Sequence, residues 1–351
     1  MPDFHTSADT SPGGGTAESL TARVVDELLT REAAAGQKRE ANRPRKRRVW
    51  LPLMLFFATC LSTFWVGACQ WYPILQIWLS NWSGESWPEG QLLTRQMAIA
   101  HWQDGLVYMM CVLGILLAHE FGHFFATVIY RIPASLPYVI PMPLLPIGTF
   151  GAVIGMDGHK ADRKQIFDIG LAGPLAGLIV AIPVVVWGTM QLDFTEPNYG
   201  PYGINAPLFV ELLLAWIEPP GYKPGLSIGM SQLNPYFMAG WVGLLITGLN
   251  MMPVSQLDGG HVIYTLFGRR SRWIARGFMV LAVAYVGYTL YTTHQAQWIL
   301  MLGLIVLVGV DHPPTRDDSV PIGWFRFGLG LLSLLIPVFC FAVNALTLEP
   351  M

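Results

Sequence analysis

Three polar side chains lie close together within an apolar stretch of the chain. His119, Glu120 and His123 form an HExxH pattern inside the run from Leu106 to Tyr130. On a helix, two histidines four residues apart point about 40° from one another, and Glu120 lies within about 60° of His123. This spacing lets both imidazoles bind one metal ion while the carboxylate acts as a base towards water. The pattern therefore predicts a hydrolytic metal site.

A zinc ion used for hydrolysis needs a third protein ligand and an open position for water. Asp258 is the best candidate, because it follows a later apolar segment in the sequence NMMPVSQLDGG, residues 250–260. Pro253 and the two glycines break a helix there, which frees the backbone to turn a carboxylate inward. An alternative role for Asp258 is to cap the helix that begins near Gly260.

The two candidate segments are expected to place their ligands at the same depth. Both run towards a basic boundary: His119 precedes Arg131 by twelve residues, and Asp258 precedes Arg269 by eleven. At the helical rise, both lie roughly 16–18 Å from that boundary. The ligands can therefore meet, and we predict that His119, His123 and Asp258 bind zinc.

The composition is typical of a polytopic membrane protein. Of 351 residues, 53% are hydrophobic and 13% are charged, and the mean hydropathy is +0.44. We predict an all-α membrane protein of about six to seven transmembrane helices, with a short re-entrant or β segment near the active site. The predicted spans are 49–68, 106–130, 166–189, 237–257, 273–291, 297–311 and 324–346.

Basic residues indicate the orientation of these spans. They are dense from Lys38 to Arg48, before the first span, and recur after the second, fourth and sixth, whereas the opposite loops carry only Arg95 and Lys223. The positive-inside rule then places the N-terminus in the cytosol and the C-terminus outside. We expect an integral multi-pass protein of a prokaryotic cell (inner) membrane.

The segment between the two motifs favours extended backbone. Repeated prolines from Pro133 to Pro146 exclude an ordinary helix, and GTFGAVI, residues 148–154, is typical of a short strand. Its exposed edge could hold a peptide by strand addition, although a purely structural hairpin is equally compatible with the sequence. Gly173 and Gly177 in the third span predict close helix packing.

The HEFGH helix, the NMMPVSQLDGG segment and the GTFGAVI strand together resemble the site-2 protease family of intramembrane zinc metalloproteases. The resemblance covers roughly residues 100–270. It implies His119, His123 and Asp258 as Zn2+ ligands, Glu120 as the catalytic base, and Asn250 as a polar group near the scissile carbonyl. A hydrogen bond between helices is the alternative role for Asn250.

The resemblance implies hydrolysis of a peptide bond within or near the transmembrane segment of a membrane-protein substrate, as in regulated intramembrane proteolysis. The expected partners are that substrate and the lipid bilayer, and no nucleic acid is expected.

The outer insertion from Gln191 to Gln232 is too short for the PDZ domain that many bacterial relatives carry. The predicted regions are a flexible cytosolic tail (1–48), a first transmembrane helix with an interfacial loop (49–105), a metalloprotease core (106–270) and additional C-terminal transmembrane helices (271–351).

Two other classes of protein share part of this pattern. A membrane di-iron oxidase would use Glu120 and His123 as half of its site, but the sequence contains no second Glu-x-x-His. A membrane metal-ion or proton transporter could use the same ligands and would conduct ions. The last three predicted spans carry almost no ionisable residues to line a pathway, which disfavours a transporter.

Two further histidines are noteworthy. His261 follows Asp258 by three residues, so it is a candidate for a hydrogen-bond partner that orients the carboxylate. His312 lies at the end of a predicted span, in the sequence DHPP, which resembles a segment of some relatives in the site-2 protease family. Surface turn chemistry accounts for this histidine equally well.

Overall fold

The computed structural model describes residues 49–71, 96–198, 202–254, 257–293, 297–310, 312 and 315–348. The predicted tail (1–48) and most of the predicted interfacial loop lie outside these residues. The α-helices are α1 (Trp50–Ala68), α2 (Trp102–Ile129), α3 (Arg163–Met190), α4 (Leu208–Ile217), α5 (Pro235–Asn250), α6 (Asp258–Phe267), α7 (Ser271–Thr293), α8 (Ile299–Val308), α9 (Gly323–Ser333) and α10 (Ile336–Cys340). The strands are β1 (Tyr138–Met142), β2 (Gly148–Val153), β3 (Tyr202–Ile204), β4 (Ile228–Gly229) and β5 (Leu346–Leu348).

Within the described residues, five stretches of helix are long and apolar enough to cross a membrane. They are α1, α2, α3, the run Asp258–Thr292 and the run Gly323–Cys340. Two predicted spans are shorter in the structure, because α5 has 16 residues and α8 has 10. Pro253 prevents the continuation of α5, and Gly309, at a φ of 99°, ends α8. The total number of spans stays a prediction.

Helices α2, α3 and α5 pack closely because glycines face the neighbouring helices. A β-carbon on Gly243 of α5 would lie 2.8 Å from Ile115 of α2, and one on Gly240 would lie 2.5 Å from Val185 of α3. Small residues at such crossings allow the close backbone approach by which transmembrane helices associate. The three helices thereby form the rigid centre that carries the candidate site.

Helix α3 begins three residues earlier than predicted because Asp162 caps it. The Asp162 carboxylate accepts a hydrogen bond from the backbone N–H of Gln165, whose side-chain oxygen accepts one from the backbone N–H of Asp162. This reciprocal pair satisfies two amide groups that would otherwise lack partners at the start of the helix. Pro174 and Pro183 both lie within the helix, as transmembrane helices tolerate.

A β-hairpin connects α2 to α3, where the sequence predicted extended backbone. Strand β1 pairs antiparallel with β2, which covers most of the predicted strand. Two side chains of α1 bind the hairpin: Thr59 Oγ1 donates to the carbonyl oxygen of Val139 at 3.1 Å, and Ser62 Oγ donates to that of Gly148 at 2.6 Å. Protein groups therefore satisfy these two carbonyls, as non-helical backbone within a membrane requires.

A second, three-stranded antiparallel sheet has the order β4-β3-β5 and was not predicted. Its strands contain only two or three residues, too few for an alternating pattern to be recognised. Strand β3 pairs with β5 from Tyr202 with Leu348 to Ile204 with Leu346. The partners lie more than 140 residues apart in the sequence, so their pairing depends on the tertiary fold.

A polar network links α9 to α2 and α3. Arg326 donates two hydrogen bonds to the Asp168 carboxylate, from Nε at 2.7 Å and from Nη2 at 3.0 Å, and the Tyr130 hydroxyl donates to the same carboxylate. Bidentate pairing of Arg with a carboxylate adds fixed geometry to its strength. The network therefore holds α9 against α3 and against the end of α2, the helix that carries the HExxH residues.

Candidate metal centre

Helix α2 positions three of the predicted site residues. His119 and Glu120 are buried, with 3% and 4% exposure, and His123 is partly buried. The Nε2 atoms of His119 and His123 lie 3.2 Å apart. One turn of helix therefore brings both imidazoles to a common point, as the spacing predicted.

The break between α5 and α6 positions Asp258. A β-carbon on Gly259 would lie 2.1 Å from the carbonyl oxygen of Met251, so the tight approach of the two helix ends requires glycine there. The residue at the cap position of α6 is Leu257, and Asp258 is the first residue of the helix. Its carboxylate oxygens lie 3.2 Å from His119 Nε2 and 3.3 Å from His123 Nε2. The carboxylate thus faces the histidines and does not cap its own helix.

The three side chains fit a divalent metal. One ligand atom from each residue lies within 4.8 Å of the others, and the shortest separations between the three residues are 3.2, 3.2 and 3.3 Å. A tetrahedral zinc ion with bonds of about 2.0–2.1 Å separates its ligands by about 3.3–3.4 Å. Two imidazoles and one carboxylate are also a common donor set for hydrolytic zinc, so both chemistry and spacing suit this ion.

The backbone of α3 fixes the orientation of His123. Its Nδ1 lies 2.8 Å from the carbonyl oxygen of Ile169, to which a protonated Nδ1 donates. Such a hydrogen bond leaves the lone pair of Nε2 free for a metal, as in many metal-bound histidines. His119 Nδ1 is buried and has no hydrogen-bond partner among the described residues, so Nε2 is the nitrogen of His119 that faces polar groups.

Glycines on one face of α3 make room for the imidazoles. A β-carbon on Gly173 would lie 2.0 Å from His123 Nε2, and one on Gly177 would lie 3.2 Å from His119 Nδ1. The sequence predicted only close helix packing from this pair. In the structure, the space that the pair provides is occupied by the predicted metal ligands.

We expect Gly173→Ala to abolish metal binding while the protein still folds. Alanine favours a helix more than glycine does, but the added methyl group overlaps His123 Nε2 and must displace the imidazole. The zinc-to-protein ratio of the purified protein measures the effect. Gly114→Ala is the matched control, because a β-carbon at this α2 position would contact nothing within 4 Å. Equal zinc content in the two variants would contradict the expectation.

Glu120 and Asn250 complete the site. Both line a cavity of about 120 Å³ next to the three predicted ligands. Asn250 is the last residue of α5, and its Nδ2 lies 3.3 Å from His119 Nε2. The other residues that line the cavity are Thr127, Ala152, Val153, Ile154, Met156, Ile169, Leu257 and His261, together with His119, His123 and Asp258.

His261 has a different neighbour from the one suggested by the sequence. Its Nδ1 lies 2.6 Å from Nε2 of His312, and no hydrogen bond to Asp258 is found among the described residues. Nothing in the sequence indicated this pair, because the two histidines are 51 residues apart. The role of Thr127, Met156 and Leu257 in lining the cavity was likewise not predicted, since apolar and hydroxyl side chains carry no spacing signal.

Residues 107–293, just over half of the chain, match Peptidase family M50. The matched range contains all five predicted site residues, and it confirms the resemblance to the site-2 protease family. The chain is 33% identical over 236 residues to the probable zinc metalloprotease EGY1, chloroplastic, of Arabidopsis thaliana, covering 65% of this chain and 41% of that protein.

Two other relatives are probable zinc metalloproteases. EGY1, chloroplastic, of Oryza sativa subsp. japonica is 28% identical over 86% of this chain and 52% of its own length. EGY2, chloroplastic, of Arabidopsis thaliana is 28% identical over 69% of this chain and 44% of its own length. The chain thus spans about half the length of these relatives. Their chloroplastic names give no support to the prokaryotic inner membrane expected above. With its family match and its converging His, His and Asp side chains, the chain belongs to Peptidase family M50.

Proposed function

We propose that this chain is an intramembrane zinc metalloprotease, which hydrolyses a peptide bond within or near the transmembrane segment of a membrane-protein substrate. The observation that carries the proposal is the convergence of His119, His123 and Asp258 beside a cavity that Glu120 also lines. Helix α2 and the run that begins with α6 are both long and apolar enough to span a bilayer. A substrate would therefore have to reach the site from within the membrane.

The donor set would hold zinc through the two Nε2 atoms and the Asp258 carboxylate. When bound, zinc supplies a Lewis acid that polarises a carbonyl and lowers the pKa of water towards about 7. Glu120 then receives the proton of the attacking water and returns it to the leaving nitrogen, so that the proton count balances over the reaction. Its position directly after His119 places the base beside the metal ligands.

Asn250 is suited to stabilise negative charge that develops on the carbonyl oxygen. Its Nδ2 lies 3.3 Å from His119 Nε2, so an amide N–H is available at the edge of the ligand cluster. A neutral donor that the fold already holds in place stabilises such charge better than freely reorienting solvent does. Loss of this donor would lower kcat more than it raises KM.

The β-hairpin supports an extended substrate. Strand β2 and the residue after it contribute Ala152, Val153 and Ile154 to the cavity, and among the described residues β2 pairs only with β1. A peptide added along the other edge of β2 would lie against the metal ligands. A helical substrate segment must therefore unwind locally before it is cut.

The orientation of the chain is also part of the proposal. The N-terminus lies in the cytosol, so that α2 runs from outside to inside and its basic end meets the cytosolic surface. Residues 106–270 form the catalytic core, with a first span and interfacial loop before it and further spans after it. Regulated intramembrane proteolysis is the corresponding biological role, and a membrane protein with a transmembrane helix is the substrate.

Reconstitution in liposomes with a single-span substrate tests the function. We expect a product whose new terminus, determined by mass spectrometry, lies within or next to the apolar segment, and we expect a zinc chelator to stop its formation. Metal-dependent ion flux without proteolysis would instead identify a transporter. A cut confined to a soluble part of the substrate would contradict the intramembrane assignment.

A further inference from the structure

A second pair of histidines lies next to the candidate metal centre. His261 is on α6, one turn after Asp258, and it lines the same cavity as the predicted ligands. His312 lies between α8 and α9, outside the residues that match Peptidase family M50. The two rings are nearly perpendicular, at 80°, and their nitrogens lie 2.6 Å apart. A residue from outside the matched range thus contacts a side chain that lines the cavity.

The orientation of His312 is fixed by its neighbours. Its ring stacks on Tyr264, with 4.3 Å between ring centroids and 17° between the planes. The Tyr264 hydroxyl donates to the Asp318 carboxylate at 2.8 and 2.9 Å, and Thr315 Oγ1 donates to the same carboxylate at 2.6 Å. Asp318 therefore fixes the Tyr264 ring, and the stack on that ring positions His312 relative to α6.

His261 is confined between α3 and His312. A β-carbon on Gly170 would lie 2.8 Å from His261 Cβ, so only glycine leaves space for this side chain. The hydrogen bond to His312 occupies Nδ1 of His261 in either tautomer. Nε2 is then the nitrogen of His261 that can bind a group in the cavity.

Burial of a polar atom in an apolar helix bundle costs free energy unless the atom has a hydrogen-bond partner. The bond within the pair serves Nδ1 of His261, so a partner for Nε2 of His261 must come from the cavity that this side chain lines. The cavity that His261 lines also contains the edge of β2 and the predicted base. The group expected there, if the proposed function is correct, is the backbone of an extended peptide. A peptide backbone offers both an N–H and a carbonyl, so it can pair with Nε2 whichever tautomer His261 adopts.

We infer that His261 binds the substrate backbone through Nε2 and that His312 is the positioning residue that orients it. The inference rests on the proposed protease function and adds a substrate contact that depends on His312, in the connection between α8 and α9. It differs from a merely structural role of the pair, which would join α6 to this segment without any effect on substrate affinity.

The test compares His312→Phe with the wild type in liposomes that contain the single-span substrate. Phenylalanine keeps the stack on Tyr264 but cannot bond His261 Nδ1. We expect KM to rise roughly three- to tenfold, the effect of one lost neutral hydrogen bond, with kcat and zinc content nearly unchanged. His312→Gln, which can still bond Nδ1, should recover part of the affinity. Ser319→Ala is the matched control, because this exposed residue lies in the same connection between α8 and α9 but its hydroxyl bonds Asp317 and not the groups that hold His312, and its KM should equal that of the wild type.

The tautomer of His261 gives an independent readout. Nitrogen NMR of protein labelled at histidine should show a change in the ring shifts of His261 in His312→Phe but not in Ser319→Ala. His261→Gln is a second variant, which should raise KM as His312→Phe does. If the wild type cleaves the substrate and both variants keep its KM, the inference is wrong while the proposed function stands. If the wild type binds zinc and does not cleave, both fail.

Discussion

Glu120→Gln will leave zinc bound and the protein folded, while cleavage of a reconstituted single-span substrate is lost. Glutamine keeps the size and hydrogen-bonding shape of the side chain but cannot accept a proton from water at neutral pH. General base catalysis contributes roughly 10²–10⁴-fold to the rate, so the residual activity should fall by at least that factor. The measurement is product formation in liposomes, together with the zinc-to-protein ratio of the same sample.

A carboxylate that does not line the cavity serves as the control for this substitution. Glu211 on α4 is exposed, and Glu211→Gln should retain full activity. Undiminished cleavage by Glu120→Gln would exclude this residue as the base. Loss of zinc from the same variant would mean that Glu120 acts on the metal site itself, and the division of roles within the HExxH motif would then have to be revised.

Asp258→Asn will deprive the protein of most of its metal. The two oxygens of Asp258 lie 3.2 and 3.3 Å from the imidazole nitrogens, and asparagine removes the negative charge without changing the volume. Loss of an outer hydrogen-bond partner of a metal ligand costs about 10–100-fold in affinity, so loss of a ligand should cost more. The zinc-to-protein ratio should therefore fall, and cleavage should fall with it.

Asp157→Asn is the control that separates loss of a metal ligand from loss of a negative charge alone. Asp157 forms an exposed ion pair with Lys160 at 3.0 Å, and surface pairs of this kind contribute about 0–1 kcal/mol. This variant should keep its zinc and its activity. If Asp258→Asn also retained a full complement of zinc, Asp258 would not be the third ligand, and the meeting of α2 with α6 would need another explanation.

Simple physical rules allowed much of the candidate site to be predicted. The helical repeat places His119 and His123 on one face, and the distance of each motif from a basic boundary predicted that Asp258 would lie at the same depth. In the structure the three side chains lie together. The hairpin followed from prolines that exclude a helix. These features depend on local spacing, which the sequence contains directly.

Other features depend on contacts between distant segments and could not be predicted. The sheet formed by β3, β4 and β5 uses strands too short to show a pattern. The pairing of His261 with His312 joins residues that only the folded bundle brings together. The glycines of α3 were recognised as packing residues, but which side chain fills the space beside them is decided by the rotation of α3 against α2.

The glycine face of α3 also affects how relatives with the same zinc-binding signature should be interpreted. Gly170, Gly173 and Gly177 leave room for His261, His123 and His119, respectively. A homologue with bulkier residues at the positions of Gly173 and Gly177 could retain every ligand and the base and still be unable to hold the ion. Surveys that count active enzymes by the short motif alone would overestimate their number, and inspection of this helix would separate pseudoenzymes from functional members.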